Sequence, residues 1–211
     1  MFSRGCLFIV SGPSGSGKTV MASAVLKSLP NLKFSVSYTT RAPRGREHDG
    51  VEYHFVSKER FESLIRGNAL IEWAQVYGNY YGTEEKSIDD LLGQGLDVLL
   101  DIDIQGAATI RSKRPDAVSV FIMPPSYQVL RERLESRKLD KKYVIEQRLR
   151  ISCEEITRYK DFDYLIINDE LSRSTDELRA IIVSSRCRME RRSESARRVL
   201  ETFGGLDAKN S

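Results

Sequence analysis

Leu7-Phe8-Ile9-Val10 run without a polar break into Ser11 and then Gly12-Pro13-Ser14-Gly15-Ser16-Gly17-Lys18-Thr19, after which the chain reads as a helix to about Leu29. This apolar run, loop and helix constrain the fold more than any other feature. A short apolar run that stops at a Gly/Ser loop behaves as a strand buried on both faces, which belongs in a parallel, helix-covered sheet. The loop matches the spacing G-x-x-x-x-G-K-[ST] in full. Glycines let successive backbone N–H groups converge on phosphate oxygens with no Cβ in the way. The helix that follows points its unpaired N–H groups and positive dipole end at the same anion. Lys18 can reach the terminal phosphates as a mobile point charge, and Thr19 can offer its hydroxyl to Mg2+. A plain turn before an ordinary helix is the competing reading, and the complete spacing between strand and helix weighs against it.

The same alternation continues. Val98-Leu99-Leu100, ending in Asp101, Val118–Met123 and Tyr164–Ile167 read as further buried strands. Helical stretches fall at about Thr83–Gly93, Ile104–Ser112, Ser126–Arg137 and Tyr143–Lys160. Strands alternating with helices predict an α/β fold with a parallel sheet. One region breaks the pattern. Phe34–Tyr38, Val51–Val56 and Ala69–Tyr77 are short aromatic and β-branched runs with one helix, Lys58–Arg66, among them. They predict a small mixed β-rich subdomain set into the core. Leu171 to about Phe203 reads as one long helix, and its interleaved Arg and Glu residues suit a solvated face better than a nucleic-acid face.

At 211 residues the chain fits one domain with small insertions, and 40% hydrophobic with 30% charged residues is an ordinary globular mixture. A net charge of +3 does not suggest nucleic acid, though it suits an anionic small substrate. Cys6, Cys153 and Cys187 form neither a disulfide framework nor a metal pattern, and His48 and His54 are too few for a zinc site. No signal or membrane-spanning run is evident, so a cytoplasmic setting is expected, with no membrane and no protein partner implied.

Further signals fall in and after the irregular region. Arg41 and Arg44 flank Pro43, and two guanidinium forks held close together suit a second phosphate. Arg46 adds a cation and Glu47 can orient or neutralise a neighbour. A basic solvated loop is the alternative. Glu72 stands alone within Leu70-Ile71-Glu72-Trp73-Ala74, which is costly if buried without partners. It is either an exposed strand position or an acceptor for a base edge. Guanine offers N1–H and N2–H2 as adjacent donors, whereas adenine N1 would repel a carboxylate. Asn79-Tyr80-Tyr81-Gly82-Thr83 is a packed aromatic turn or a supply of hydroxyls and ring faces. Arg133 and Arg137 lie one helical turn apart, with Arg148 across the polar stretch Lys138–Lys142, either as solvated arginines or as phosphate ligands. No Asn-Lys-x-Asp motif of GTPases occurs.

Taken in order, Gly12–Thr19, Ser35-Val36-Ser37, Thr39-Thr40-Arg41-x-Pro43-Arg44, Glu47, Tyr53, Ile71-Glu72-Trp73-Ala74, Asn79-Tyr80-Tyr81-Gly82 and Asp101-Ile102-Asp103-x-Gln105-Gly106 resemble the nucleoside monophosphate kinases of the guanylate kinase family, from about Leu7 to Ile182. The resemblance implies a P-loop NTPase core (1–33, 84–125 and 161–211), a GMP-binding subdomain (34–83) and a lid (126–160). It implies ATP and GMP as substrates and Mg2+ with ATP. It assigns Gly12–Thr19, Arg133, Arg137 and Asn168 to ATP. It assigns Arg41, Arg44, Tyr53 and Tyr81 to the GMP phosphate, Ser37, Glu72, Thr83 and Asp103 to guanine, and Glu47 to bracing the arginines. Lys18, Arg41, Arg133 and Arg148 would act in transfer. Thr19, and Asp101 through water, would hold the metal. The lid departs from the family pattern, since Ser136-Arg137-Lys138-Leu139-Asp140-Lys141-Lys142 has no glycine beside the second arginine. Another nucleotide or a ribosyl bisphosphate as acceptor, or a non-catalytic module of the same architecture that binds protein partners, are the alternatives. The intact loop disfavours the module, and Glu72 with Arg41 and Arg44 disfavours another acceptor.

Overall fold

The computed structural model describes residues 4–45, 47–76, 78–136 and 142–203. Five strands form a parallel sheet: β1 (Leu7–Ser11), β2 (Leu32–Phe34), β7 (Asp97–Asp101), β8 (Val118–Met123) and β9 (Tyr164–Ile167), in the order β2-β7-β1-β8-β9. A second sheet is mixed. Its strands β3 (Tyr38–Thr39), β4 (His54–Phe55), β5 (Leu70–Val76) and β6 (Asn79–Glu84) lie in the order β4-β3-β6-β5. The helices are α1 (Lys18–Ser28), α2 (Lys58–Arg66), α3 (Glu85–Gly93), α4 (Ile104–Lys113), α5 (Tyr127–Ser136), α6 (Lys142–Glu155), α7 (Leu171–Arg186) and α8 (Met189–Thr202). Among the described residues none is long and apolar enough to cross a membrane.

The unbroken apolar run of β1 has a packing reason. Its alternate side chains serve opposite faces. Phe8 and Val10 join Met21, Val25, Val120, Leu178 and Ile182 on one side. Leu7 and Ile9 join Ile71, Ile88, Leu100 and Ile110 on the other. The second sheet has its own core, with Phe61, Leu64 and Leu70 against Tyr38 and Tyr80. The hairpin of α5 and α6 closes on Leu130, Leu134, Ile145 and Leu149.

Several expected boundaries move. The run Phe34–Tyr38 divides, because β2 pairs with β7 in the parallel sheet while β3 pairs with β6 in the other. Val51–Val56 reduces to β4, with an isolated bridge between Asp49 and Tyr53. Ala69–Tyr77 contains β5 (Leu70–Val76), with Tyr77 outside the described residues; β5 pairs antiparallel with Asn79–Glu84 across Gly78 at φ 80°, so Asn79–Glu84 is strand rather than aromatic turn. The helix expected from Thr83 therefore starts at Glu85. The helix expected to reach Lys160 ends at Glu155 and tightens into a 3-10 segment, Ile156–Asp161.

The single helix expected from Leu171 to Phe203 is instead two. α7 buries Ser174, Leu178, Ile182 and Ser185, whereas α8 buries nothing. Arg186 ends α7 by gripping the core. Its Nε donates to Asp97 Oδ2 at 2.7 Å and its Nη2 to the Pro30 carbonyl at 2.9 Å. Arg188 is then extended, at φ −57° and ψ 142°, and Arg191 donates back to the Gly5 carbonyl. Asp97 is buried and also accepts the Cys6 N–H at 2.6 Å. Removing the guanidinium strands a buried carboxylate. Arg186→Met should lower stability by about 2–4 kcal/mol. A thermal melt at neutral pH should show the midpoint fall by roughly 5–10 °C.

Candidate active site

The turn from β1 into α1 is built by close approach. Gly12, Gly15 and Gly17 have φ of 140°, 91° and 100°. A Cβ on Gly12 would lie 2.2 Å from the Ile122 carbonyl oxygen, and one on Gly17 2.2 Å from Asn168 Nδ2. Pro13, Ser14 and Ser16 complete the turn, and the Ser16 N–H donates to the Pro13 carbonyl. Lys18 Nζ folds over the loop, donating to the carbonyls of Gly12 at 2.7 Å and Pro13 at 3.0 Å. Asn168 is buried behind the loop. Its Nδ2 donates to the Ser16 carbonyl at 2.7 Å, and its backbone carbonyl accepts Arg133 Nη2 at 2.9 Å. Asn168 thus braces the loop and offers almost no surface to an adenine. Ser11 Oγ, Ser16 Oγ, Asn168 Oδ1 and Arg133 Nη1 are buried with no hydrogen-bond partner among the described residues. All four belong to the loop or to its supports, where a polyanion and its water would satisfy them.

The Thr19 hydroxyl donates to Asp101 Oδ2 at 2.6 Å, tying the first turn of α1 to the end of β7. That leaves the Thr19 oxygen free to bind a cation, with Asp101 one layer out. The donors are hard oxygens, and no cluster of three or more His, Cys, Asp or Glu occurs among the described residues. This set fits Mg2+, which keeps several waters and takes few protein ligands.

A second constellation lies in the mixed sheet. Arg41 is buried and forks onto Glu47, with Nη1 to Oε2 at 2.9 Å and Nη2 to Oε1 at 3.0 Å. Its guanidinium lies 5.4 Å from the Tyr53 ring centroid and 5.8 Å from that of Phe55. Tyr53 meets Tyr81 edge-on at 5.8 Å. The Arg41 hydrogen bonds, ahead of the Arg44 N–H at 2.8 Å, hold the Glu47 carboxyl below the usual carboxylate range. Burial pushes the Tyr53 phenol up to about 12. The Arg44 side chain is exposed. Arg46 and Arg137 lie outside the described residues, as does most of the polar stretch after Arg137.

Glu72 is buried on β5, which rules out the exposed strand position. Thr83 Oγ1 donates to Glu72 Oε1 at 2.6 Å and lies 3.1 Å from Ser37 Oγ. Burial dominates its titration and pushes Glu72 up to about 7. The Thr83 hydrogen bond and Lys113 oppose the rise, and Asp103 adds to it. Asp103 caps α4 by accepting the Gly106 N–H at 2.7 Å. On α6, Arg148 and Glu155 are seven residues apart on one face. Sequence reasoning missed Glu155. It is half-buried, burial raises its pKa, and Lys18 and Asp103 are the charges it feels. Its spacing from Arg148 was the available signal. Lys113 was missed as well, although its Nζ crosses from α4 to the Ile71 carbonyl at 2.6 Å. No local motif marks that contact.

A glycine-lined loop between a central parallel strand and a helix, with a lysine, a hydroxyl and a strand-end acid around it, defines a P-loop nucleotide-binding protein. The sequence model of the guanylate kinase family matches residues 4–185. The guanylate kinase of Shewanella oneidensis is 50% identical over 187 residues, covering 88% of this chain and 90% of the relative. That of Neisseria meningitidis serogroup A is 47% identical over 190 residues, covering 90% and 92%. The crystal structure of guanylate kinase from Anaplasma phagocytophilum superposes with a TM-score of 0.79 at 32% identity, covering 98% of both chains. This chain belongs to the guanylate kinase family.

Because the folded pKa of Glu72 is raised, its favourable contribution to folding is complete below its ordinary value of 4.5 and lost as pH rises through about 7. Glu72→Gln mimics the neutral form. Without nucleotide, the variant should melt higher than the parent at about pH 8, with the gap closing by about pH 4.5. Melting curves across that range check the sign.

Proposed function

We propose that the chain transfers the γ-phosphoryl group of ATP to GMP, giving ADP and GDP. The observation that carries this reading is Glu72, a buried carboxylate held by Thr83, in the same domain as a complete phosphate loop. A carboxylate that can present both oxygens matches the adjacent N1–H and N2–H2 donors of guanine and repels adenine. On this reading residues 34–83 hold GMP, residues 126–160 close over ATP, and the ranges 1–33, 84–125 and 161–211 form the core. Ser37, Thr83 and Asp103 support Glu72 at the base. Arg41, Arg44, Tyr53 and Tyr81 take the GMP phosphate, and Glu47 fixes Arg41. Lys18 and residues 12–19 hold the ATP phosphates, with Arg133, Arg137 and Arg148 from the lid and Asn168 behind the loop. The three cysteines are free, which suits the cytoplasm.

A phosphate oxygen of GMP attacks the γ-phosphorus, a new P–O bond forms, and the bond to the ADP oxygen breaks with its electron pair. The nucleophile needs no general base, because a phosphate monoester has its second pKa near ~6. The difficulty is bringing two anions together, so positioning and charge neutralisation are the work of the protein. Lys18 can leave the Gly12 and Pro13 carbonyls for phosphate oxygens at little cost, since both partners are hydrogen-bond acceptors. Thr19, and Asp101 through water, would hold Mg2+, which when bound neutralises charge on the ATP phosphates.

Glu72→Gln should raise the GMP KM by about tenfold or more and leave the ATP KM within about twofold, because one charge-assisted pair is lost at one site only. Equal changes in both would refute the base-reading role. In the parent the GMP KM should rise as pH falls below about 7, as Glu72 protonates, and the variant should keep only the smaller rise that protonation of the GMP phosphate itself causes. Lys18→Ala should lower kcat by roughly a hundredfold or more with the melting temperature unchanged. Retained turnover would sink the phosphate-loop assignment.

A further inference from the structure

Gly106 lies buried in the first turn of α4, and its N–H donates to the cap residue Asp103. It is not among the glycines with positive φ, so its backbone conformation is open to any residue. Glycine weakens a helix relative to alanine, and no turn or bend offsets that weakness here. What the position lacks is space. A Cβ at Gly106 would lie 2.8 Å from Glu72 Oε2 and 3.3 Å from Glu72 Cδ, with Asp103 Oδ1 next at 3.4 Å. Outside the helix's own backbone, these three nearest atoms all belong to carboxyl groups and none to the apolar core. Glu72 Oε1, on the other side, accepts the Thr83 hydroxyl. The carboxylate is therefore gripped between a hydroxyl and the bare first turn of a helix. That turn is also the positive end of the α4 dipole, which favours the ionised form.

We infer that Gly106 is a specificity-determining position, whose missing side chain lets the Glu72 carboxylate lie against α4 with both oxygens set for guanine. Gly106 acts through Glu72 and is a positioning residue. The inference rests on the reading of Glu72 as the acceptor of the guanine edge. An added methyl group would force Oε2 back by roughly half an ångström or more to reach ordinary contact. The fold tolerates this, since the obstacle is the end of a flexible side chain. Two parallel hydrogen bonds to a planar base edge do not, because both depend on alignment.

The test is Gly106→Ala, alone and combined with Glu72→Gln, with steady-state kinetics for both substrates and thermal melts. Gly106→Ala should raise the GMP KM by about tenfold, leave the ATP KM within about twofold, and keep or raise the melting temperature. In the double variant the GMP KM should be close to that of Glu72→Gln alone, because both changes remove one interaction. If Glu72→Gln raises the GMP KM and Gly106→Ala does not, the role of Gly106 is overturned and the reading of Glu72 stands. If Glu72→Gln changes nothing, that reading falls and this inference falls with it. If Gly106→Ala lowers the melting temperature, raises both KM values and adds in full to Glu72→Gln, the glycine serves helix packing and the inference is overturned.

Discussion

The structure depends on a close approach of backbone at the end of β1. An anion can be held by main-chain N–H groups only where no side chain intervenes, and the loop meets that demand with its back against β8 and Asn168. The surrounding elements then have little freedom. β1 must be central, because the loop needs neighbours on both sides, and its residues must be apolar on both faces, because helices cover both. β7 must end beside α1, so that Asp101 meets Thr19. Asn168 must follow β9 closely enough to reach the Ser16 carbonyl, and Arg133 ties that brace to α5. The first arm of the proposed lid is thus bonded to the back of the loop that it serves.

The mixed sheet handles two carboxylates in opposite ways. Glu47 is given a guanidinium fork and a backbone N–H, which stabilise its charge. It has little left to offer a ligand and serves to orient Arg41. Glu72 is given the Thr83 hydrogen bonds and the charge of Lys113, which its burial cost outweighs. Its remaining acceptor capacity is unspent, and its charge is expensive until a donor arrives. The energetic asymmetry between them supports the proposed roles, a brace for Glu47 and a recognition group for Glu72.

Features carried by local chemistry were legible in the sequence. The phosphate loop, the apolar strands and the isolated Glu72 each announce themselves within a few residues, because spacing and polarity suffice to read them. Features carried by distant contacts were not. The break after α7 depends on Arg186 finding Asp97, some ninety residues away, and no propensity in that arginine-rich stretch signals it. The strand at Asn79–Glu84 looked like a turn because its tyrosines and glycine are read without their partner strand β5. Phe34 looked continuous with Tyr38 because the chain changes sheet between them without a proline or a charge run to mark the crossing. Lys113 and Glu155 face the site from helices whose sequence shows only ordinary amphipathic spacing.

The segment Asp101-Ile102-Asp103 joins the two constellations. Asp101 ends β7 and binds Thr19 beside the phosphate loop. Two residues later Asp103 caps α4, whose first turn receives Glu72. Between them Ile102 is buried in the core and its N–H donates to the Val10 carbonyl, which fixes the segment to β1. Asp101, which binds Thr19, and the helix turn that receives Glu72 are therefore referenced to one short piece of backbone. A shift of α4 relative to β1 would disturb both at once, and β5 is tied to the same core, because Ile71 packs with Leu7 and Ile9 while Leu70 serves the core of the mixed sheet. Contact between β5 and α4, at Glu72 against Gly106 and at Lys113 against the Ile71 carbonyl, then sets where the Glu72 carboxylate lies. On the proposed function, whose main hazard is transfer to water, a Glu72 carboxylate set by that contact would link recognition of the acceptor to closure of the site.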